Sequence, residues 1–185
     1  MSPADDAPPA PGAPPGNLTA AAGGSATSAS GRDRLAAVTL DQSSIGHGNH
    51  HIEHEREVAI LDLIDGNTFA VVGRDNGPYT LRLSIEDERL MLTVGTAAGP
   101  DVMVHPLSLG PFKRIVRDYF VVCDTYYDAI RSAPPSRIQA IDLSRRGLHD
   151  DASRLLIERL ADKITVDFDT ARRLFTLIAA LHWKG

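Results

Sequence analysis

The chain of 185 residues has one cysteine, Cys123, and no long apolar segment. A single thiol cannot form an intramolecular disulfide or supply the several cysteines of a zinc ribbon, so nothing points to an oxidising compartment. The longest apolar run, residues 174–181, has eight residues and contains Thr176, whereas a membrane-spanning helix needs about 20. We therefore expect a cytoplasmic protein that does not cross a membrane.

Nucleotide-binding loops and a strongly basic surface are also missing. Neither G-x-x-x-x-G-K-S/T nor G-x-G-x-x-G occurs, which argues against nucleotide binding through those loops. Residues 34–101 hold five basic and eleven acidic residues (−6), and residues 102–185 hold thirteen and ten (+3). Such a weak basic excess makes nucleic acid an unexpected partner. The opposite signs indicate either halves that pack on each other or a basic surface for an anionic ligand.

The first 33 residues contain little that could fold. Six of the twelve prolines lie in residues 1–16, and residues 17–31 are mostly small or polar. This composition cannot bury enough apolar surface to offset the entropy of ordering. It predicts a disordered tail over residues 1–33, before a single domain over residues 34–185. The tail does not have the pattern of a secretory signal. It is either a functionless extension, which includes the case of a start codon assigned too early, or a docking segment.

Alternating apolar residues predict strands after the tail. Residues 34–40 predict a first strand, and residues 79–85 and 89–94 predict the two strands of a β-hairpin. Residues 102–109 predict a third strand of the same meander. Pro106 cannot donate a ladder hydrogen bond, so this strand is expected to lie at an edge or to end there.

The second half of the chain predicts helices. Residues 112–130 repeat apolar side chains at helical spacing over about five turns, with Pro111 near the first turn. After Pro134 and Pro135, two shorter helices are predicted over residues 136–143 and 150–160.

A short strand over residues 164–166 is expected to return to the sheet. The last helix begins at Asp167 or Asp169, and residues 174–181 are apolar nearly all round, which predicts a central position. Strands followed by helices indicate an α+β fold, with a small antiparallel β-meander and then a helical half.

A histidine-rich helix is predicted over residues 50–64, with Asn49 as its N-cap. Residues 50–54 match H-x-x-E-H, the pattern of inverted zinc peptidases. Four of the seven histidines lie within residues 47–54, so a chance match is easy, and no third ligand is marked. We interpret the segment as a polar helix face, or as a set of partners for the basic C-terminal half, and expect neither a metal site nor a cofactor. The predicted face consists of Glu53, His54, Glu55 and Arg56.

The most basic constellation lies in residues 144–160, SRRGLHDDASRLLIERL. Gly147 after two arginines is typical of a helix end, and acidic residues after His149 are typical of a helix start. The alternative is an anion site, in which the arginines and the first backbone N–H groups of the next helix face a phosphate or carboxylate. The candidate ligand-binding residues are Arg145, Arg146, His149, Arg172 and Arg173.

Acidic and tyrosine side chains lie along the predicted helix over residues 112–130. Asp124 and Asp128 are one turn apart with like charge, which requires a base nearby. At least one of Arg172 and Arg173 is expected to pair with one of these carboxylates, with Asp118, or with a bound anion. We interpret the group as an internal polar network or a ligand site. Its members are Asp118, Asp124, Tyr126, Tyr127 and Asp128.

Several long segments resemble one family. IEHEREVAILDL, GPYTLRLSI, PFKRIVRDYF, RRGLHD and VDFDTARRLFTLIAALHWKG are similar to uncharacterised protein family 0262, small bacterial proteins, over residues 34–185. The resemblance implies a cytosolic bacterial protein without an established activity. The family pattern contains Ile-Glu-His-Glu-Arg but not the two histidines before it, which makes His50 and His51 peculiar to this chain. The family also begins near residue 34, so the tail is an appendage.

Two function classes remain open. The first is a non-enzymatic binding or regulatory protein that uses the mixed arginine and aspartate surface of its helical half, either as a monomer or as a homodimer. The second is a small enzyme or anion-binding protein built on the arginine and histidine residues. The expected partner is an unknown protein or a small anionic ligand.

Overall fold

A computed structural model describes residues 31–97 and 99–182. Most of the predicted tail, residues 1–30, lies outside the described residues, so its disorder stays a prediction. The described elements are β1 (Leu35–Leu40), α1 (Gln42–Ile45), α2 (His50–Asp65), β2 (Phe69–Val71), β3 (Tyr79–Glu86), β4 (Arg89–Thr96), β5 (Asp101–Ser108), α3 (Gly110–Ser132), α4 (Pro135–Leu160), β6 (Ile164–Val166) and α5 (Phe168–His182). The fold contains both helices and strands and is α+β, as predicted.

Four strands form the main sheet in the order β1-β3-β4-β5. β3, β4 and β5 are antiparallel neighbours, whereas β1 pairs parallel with β3, so the sheet as a whole is mixed. The parallel pairing is possible because α1, α2 and β2 carry the chain back between the two strands. β5 lies at the edge and contains Pro106, in agreement with the lost hydrogen-bond donor.

One face of the sheet belongs to the core. Leu81, Leu83, Leu90, Leu92 and Val94 are each at most 1% exposed, because alternate residues of a strand point to the same face. They form one apolar cluster with residues of α2, α4 and α5.

α2 begins as predicted. The side chain of Asn49 accepts a hydrogen bond from the backbone N–H of Ile52 at 2.9 Å, which confirms the N-cap. The helix packs on β1 and α5.

α4 is one continuous helix of 26 residues, whereas the sequence predicted two helices separated near Gly147. The predicted helix end after Arg146 and helix start at His149 are therefore wrong. A glycine inside a helix costs about 1 kcal/mol relative to alanine. Packing of α4 on both α3 and α5 outweighs that cost, since residues such as Leu156 are fully buried.

β6 exists as predicted but does not join the main sheet. It pairs antiparallel with β2, and the two form a separate sheet of two strands. β2 has three residues, too few for an alternating pattern to identify it from sequence.

α5 occupies the centre of the helical half. The carboxylate of Asp167 accepts a hydrogen bond from the backbone N–H of Thr170 at 2.7 Å, which identifies the helix start. Eight residues of α5 are buried, and the helix packs on α2 and α4, which confirms its predicted central position. Within the described ranges, no helix is long and apolar enough to cross a membrane.

Candidate functional site

The helical half brings ionisable and aromatic side chains together where α3 and α5 pack on α4. The ring of His149 lies edge-on to the rings of Tyr119 and Phe175, with centroids 5.6 and 5.1 Å away. We call the polar residues around this contact the three-helix cluster. Its members are Tyr119, Cys123, Asp142, Arg145, Arg146, His149, Asp150, Arg172 and Thr176.

Two arginines of the cluster share one carboxylate. Arg145 Nη2 lies 2.7 Å from Asp142 Oδ1, and Arg146 Nε lies 2.8 Å from Asp142 Oδ2. The spacing of three and four residues along α4 places all three side chains on one helix face. The Arg145 guanidinium also lies 5.3 Å from the ring centre of Tyr126. Because the side chain of Arg145 is 15% exposed and that of Arg146 is 56% exposed, only the second reaches freely into solvent.

The third arginine joins two helices. Arg172 on α5 donates a hydrogen bond to the carboxylate of Asp150 on α4, and each side chain is about one-third exposed (32% and 31%). The pKa of Arg172 is lowered from its ordinary value, first by burial and also by the Arg145 and Arg146 cations. The Arg145 and Arg146 cations therefore lie close enough to Arg172 to repel it. The pKa of Arg145 is itself raised, because its hydrogen bond to Asp142 and its other neighbours outweigh the effect of burial.

His149 is buried and has one unsatisfied ring nitrogen. Its Nε2 lies 3.0 Å from Thr176 Oγ1, and the Thr176 hydroxyl donates to the backbone oxygen of Arg172 at 3.1 Å. Nδ1 is buried and has no hydrogen-bond partner among the described residues. Burial, and then the Arg172 and Arg145 cations, lower the pKa of His149 to about 4. The imidazole is therefore neutral at pH 7.

Tyr119 and Cys123 are the other titratable groups of the cluster. Burial raises the pKa of the Tyr119 hydroxyl, and the neighbouring Arg145 cation opposes that rise. Burial also raises the pKa of the Cys123 thiol to about 11. Both groups stay protonated at pH 7, so the geometry favours an inert thiol at Cys123 over a nucleophile.

The cluster combines three permanent cations with two carboxylates, which leaves a net charge of about +1 beside a neutral histidine. A guanidinium group binds carboxylate and phosphate oxygens through paired N–H donors. The chemistry that this arrangement offers is the binding of an anion.

Of the five predicted ligand-binding residues, Arg173 alone lies outside the cluster. Its guanidinium donates to the backbone oxygen of Gly66 at the end of α2, where a cation satisfies a free carbonyl. The predicted contribution of backbone N–H groups at a helix start is wrong, because His149 lies inside α4. The expected ion pair of Arg172 or Arg173 with another segment is confirmed for Arg172, but its partner is Asp150.

The residues of the predicted polar network are distributed along α3. Asp118 pairs with Arg114 and Arg117 of its own helix rather than with Arg172. Asp124 and Asp128 are exposed.

The two tyrosines of that prediction form a ring pair. The Tyr126 and Tyr127 rings lie 5.9 Å apart, and Tyr126 contacts the cluster through Arg145.

Sequence reasoning missed Asp142, Thr176 and the contact of Tyr119 with His149. The spacing of Asp142 with the two arginines was a readable signal, but the predicted helix break obscured it. Thr176 lies 27 residues from His149, and nothing in the local sequence marks it as a partner.

The predicted polar face of α2 is only partly solvated. Arg56 is 4% exposed, so its assignment to a solvated face is wrong. Its guanidinium donates to the backbone oxygen of Gly46 at 2.9 Å and to Glu53 Oε1 at 3.0 Å, which satisfies the buried charge. His54 is exposed and Glu55 is half-buried.

The H-x-x-E-H segment presents no assembled metal site in this structure. His50 and His54 are exposed at the start of α2. Across residues 31–97 and 99–182, no group of three or more histidine, cysteine, aspartate or glutamate side chains could hold a metal ion.

A separate groove of about 370 Å³ lies between α3 and the end of α5. Its walls include the apolar side chains of Phe112 and Phe120. The two cations on its rim, Lys113 and Arg117, already pair with acidic residues. The groove therefore lacks the excess charge that distinguishes the three-helix cluster.

Comparison with known proteins identifies a family but no activity. The model of Uncharacterised protein family (UPF0262) matches residues 32–184. A UPF0262 protein of Rhodopseudomonas palustris strain BisB18 is 58% identical over 154 residues, which are 83% of this chain and 94% of the relative. A UPF0262 protein of Xanthobacter autotrophicus strain Py2 is 58% identical over 153 residues, or 82% and 93% of the two chains. No solved structure matches the chain significantly.

Proposed function

Because the chain belongs to uncharacterised protein family UPF0262, whose name assigns no activity, we propose its function from the geometry of the three-helix cluster. It is a non-enzymatic binding protein that holds a small anionic ligand at Arg145, Arg146 and Arg172. The ligand arrives from the solvent side, where Arg146 and Arg172 are accessible.

The observation that supports this proposal is the imbalance of charge at the interface of α4 and α5. Asp142 serves two arginines, whereas Asp150 serves one. Partly buried cations that repel one another are stabilised by an added anion, because the attraction is screened less there than in bulk water. Fully exposed cations would gain little from an added anion, since solvent already screens their charges.

The protonation states of the cluster favour binding over catalysis. General acids and bases work best with a pKa near the operating pH. Burial shifts the pKa values of His149, Tyr119 and Cys123 away from pH 7, and all three groups stay uncharged there. The groups that remain charged at pH 7 are arginines and carboxylates, which position a ligand and do not exchange protons with it.

The proposal includes a cytoplasmic location. The single buried thiol of Cys123 fits a reducing compartment, where proteins seldom depend on disulfides.

Isothermal titration calorimetry of the full chain at low ionic strength tests the proposed function, with inorganic phosphate and sulfate as probes. We expect Arg172→Gln to weaken anion binding about tenfold or more, since a charge-assisted hydrogen bond contributes about 1.5 to 3 kcal/mol. Arg146→Gln, at a 56% exposed side chain, provides a second variant that preserves the fold.

Arg137→Gln is the matched control, because Arg137 is an exposed arginine of α4 outside the cluster. It removes the same charge and is expected to leave binding nearly unchanged. Equal weakening in the control, or no binding of either anion to the unaltered chain, would show that the cluster is not an anion site.

A further inference from the structure

We propose that the anion held by the three-helix cluster carries its own hydrogen-bond donor, as hydrogen phosphate does and sulfate does not. This inference rests on the proposed function, since it concerns the ligand of the same site. The observation behind it is the buried Nδ1 atom of His149, which has no partner in the described part of the chain.

The hydrogen bonds of Thr176 determine which ring nitrogen of His149 carries the proton. A threonine hydroxyl has one proton, and here it is donated to the backbone oxygen of Arg172. Thr176 Oγ1 can then only accept from His149 Nε2, 3.0 Å away. Nε2 is therefore the protonated nitrogen, and Nδ1 is a lone-pair acceptor.

The ring is also held in place. Tyr119 and Phe175 contact its edges, and the residue is 8% exposed, so Nδ1 cannot turn into bulk solvent. Protonation would remove the need for a donor, but it is disfavoured by burial and by the Arg172 and Arg145 cations. Nδ1 is therefore a buried hydrogen-bond acceptor without a donor among the described residues.

The same residues connect this acceptor to the anion site. His149 precedes Asp150, the carboxylate that Arg172 binds across the interface of α4 and α5. Arg172 and Thr176 are one turn apart on α5, so the helix positions a cation and the histidine partner on the same face. For an anion bound to Arg172 to direct one oxygen to Nδ1, the interface of α4 and α5 has to open, because that atom is buried in this structure.

An unprotonated anion oxygen at that position would face the lone pair of His149 Nδ1. Both atoms are acceptors, and burying them together without a donor costs free energy. A P–OH group instead donates to Nδ1 while the remaining oxygens accept from the arginines. Sulfate and simple carboxylates carry no proton at neutral pH and cannot make both kinds of contact.

Phosphate and sulfate offer a matched comparison at about pH 8, where both are tetrahedral dianions and only phosphate retains a proton. We expect the full chain to bind inorganic phosphate about tenfold to a hundredfold more tightly than sulfate, the ratio for one satisfied hydrogen bond. In His149→Phe, the aromatic contacts remain but Nδ1 is absent, so the two affinities are expected to become equal.

Thr176→Val keeps the shape of the side chain but removes the hydroxyl that directs the proton to Nε2. His149 can then carry the proton on Nδ1 and donate it to an oxyanion, so the preference for phosphate is expected to fall. This variant also provides the test if His149→Phe does not fold.

Suppose that the unaltered chain binds phosphate and sulfate with equal affinity and that Arg172→Gln weakens both. This result would support the anion site but overturn the requirement for a hydrogen-bond donor on the ligand. Absence of binding by either anion would instead reject the proposed function. A phosphate preference that survives both His149→Phe and Thr176→Val would assign the selectivity to other groups and also overturn the inference.

Discussion

Lowering the pH should destabilise this protein through His149 by an amount that the structure allows us to work out. The ordinary pKa of histidine, 6.5, falls to about 4 in the folded chain. At about 1.36 kcal/mol per pKa unit, this shift corresponds to about 3 kcal/mol of unfolding free energy. The side chain is 8% exposed, so solvent screening reduces this value little.

The sign follows from which state binds the proton. Above pH 6.5 the imidazole is neutral in both the folded and the unfolded chain, and its contribution does not change with pH. Between pH 6.5 and about 4 the unfolded chain takes up a proton that the folded chain refuses, so the free energy of unfolding falls. Below about pH 4 both states are protonated and the loss levels off.

Urea unfolding followed by far-UV circular dichroism, at intervals between about pH 7.5 and 4, measures the effect. His149→Phe is the matched variant, because it retains an aromatic ring between Tyr119 and Phe175 and lacks the titrating group. The carboxyl groups of Asp41 and Asp167, whose pKa values are lowered in the fold, contribute equally to both proteins.

We expect the unaltered chain to lose about 3 kcal/mol more than the variant across this window. Parallel curves for the two proteins would refute the reasoning, because they would show that His149 titrates normally in the folded state.

Three other substitutions and one control test the packing of the helical half by urea unfolding at pH 7. Phe175→Ala is expected to cost about 3 to 5 kcal/mol, since the ring is 0% exposed in the core; a cost under about 1 kcal/mol would contradict that burial. Gly147→Ala is expected to stabilise the chain by about 0.5 to 1 kcal/mol, because an added Cβ meets nothing within 4 Å; destabilisation would argue against a continuous α4. Arg173→Gln is expected to cost about 1 to 2 kcal/mol through its lost bond to Gly66, and Arg137→Gln close to zero.

Local chemistry made much of the fold predictable. The Asn49 cap, the start of α5 at Asp167 and the edge position of Pro106 each depend on a few neighbouring residues. The parallel pairing of β1 with β3 and the pairing of β2 with β6 join segments far apart in sequence. A local pattern does not identify the distant strand with which a strand pairs.

The candidate site was predictable in its residue types but not in its geometry. The arginines around residues 145 and 172 stood out by charge, and both groups reach the same interface. Local propensity favoured a break at Gly147, whereas packing on two neighbouring helices keeps α4 continuous. Burial of Arg56 was equally invisible, because two of its three acceptors come from outside α2, one from the loop before the helix and one from α5.

The continuity of α4 is what creates the cluster. One face of α4 carries these residues at positions i, i+3, i+4, i+7 and i+8, which is the repeat of a single helix face: Asp142, Arg145, Arg146, His149 and Asp150. A break at Gly147 would have separated the arginines from His149 and from the carboxylate that binds Arg172. With the helix intact, a single face supplies the shared carboxylate, two cations and the buried acceptor, and α5 adds the third cation from across the interface. The charge imbalance and the unpaired Nδ1 therefore both depend on the continuity of α4 through Gly147. A chain in which α4 ended at Gly147 would lose both.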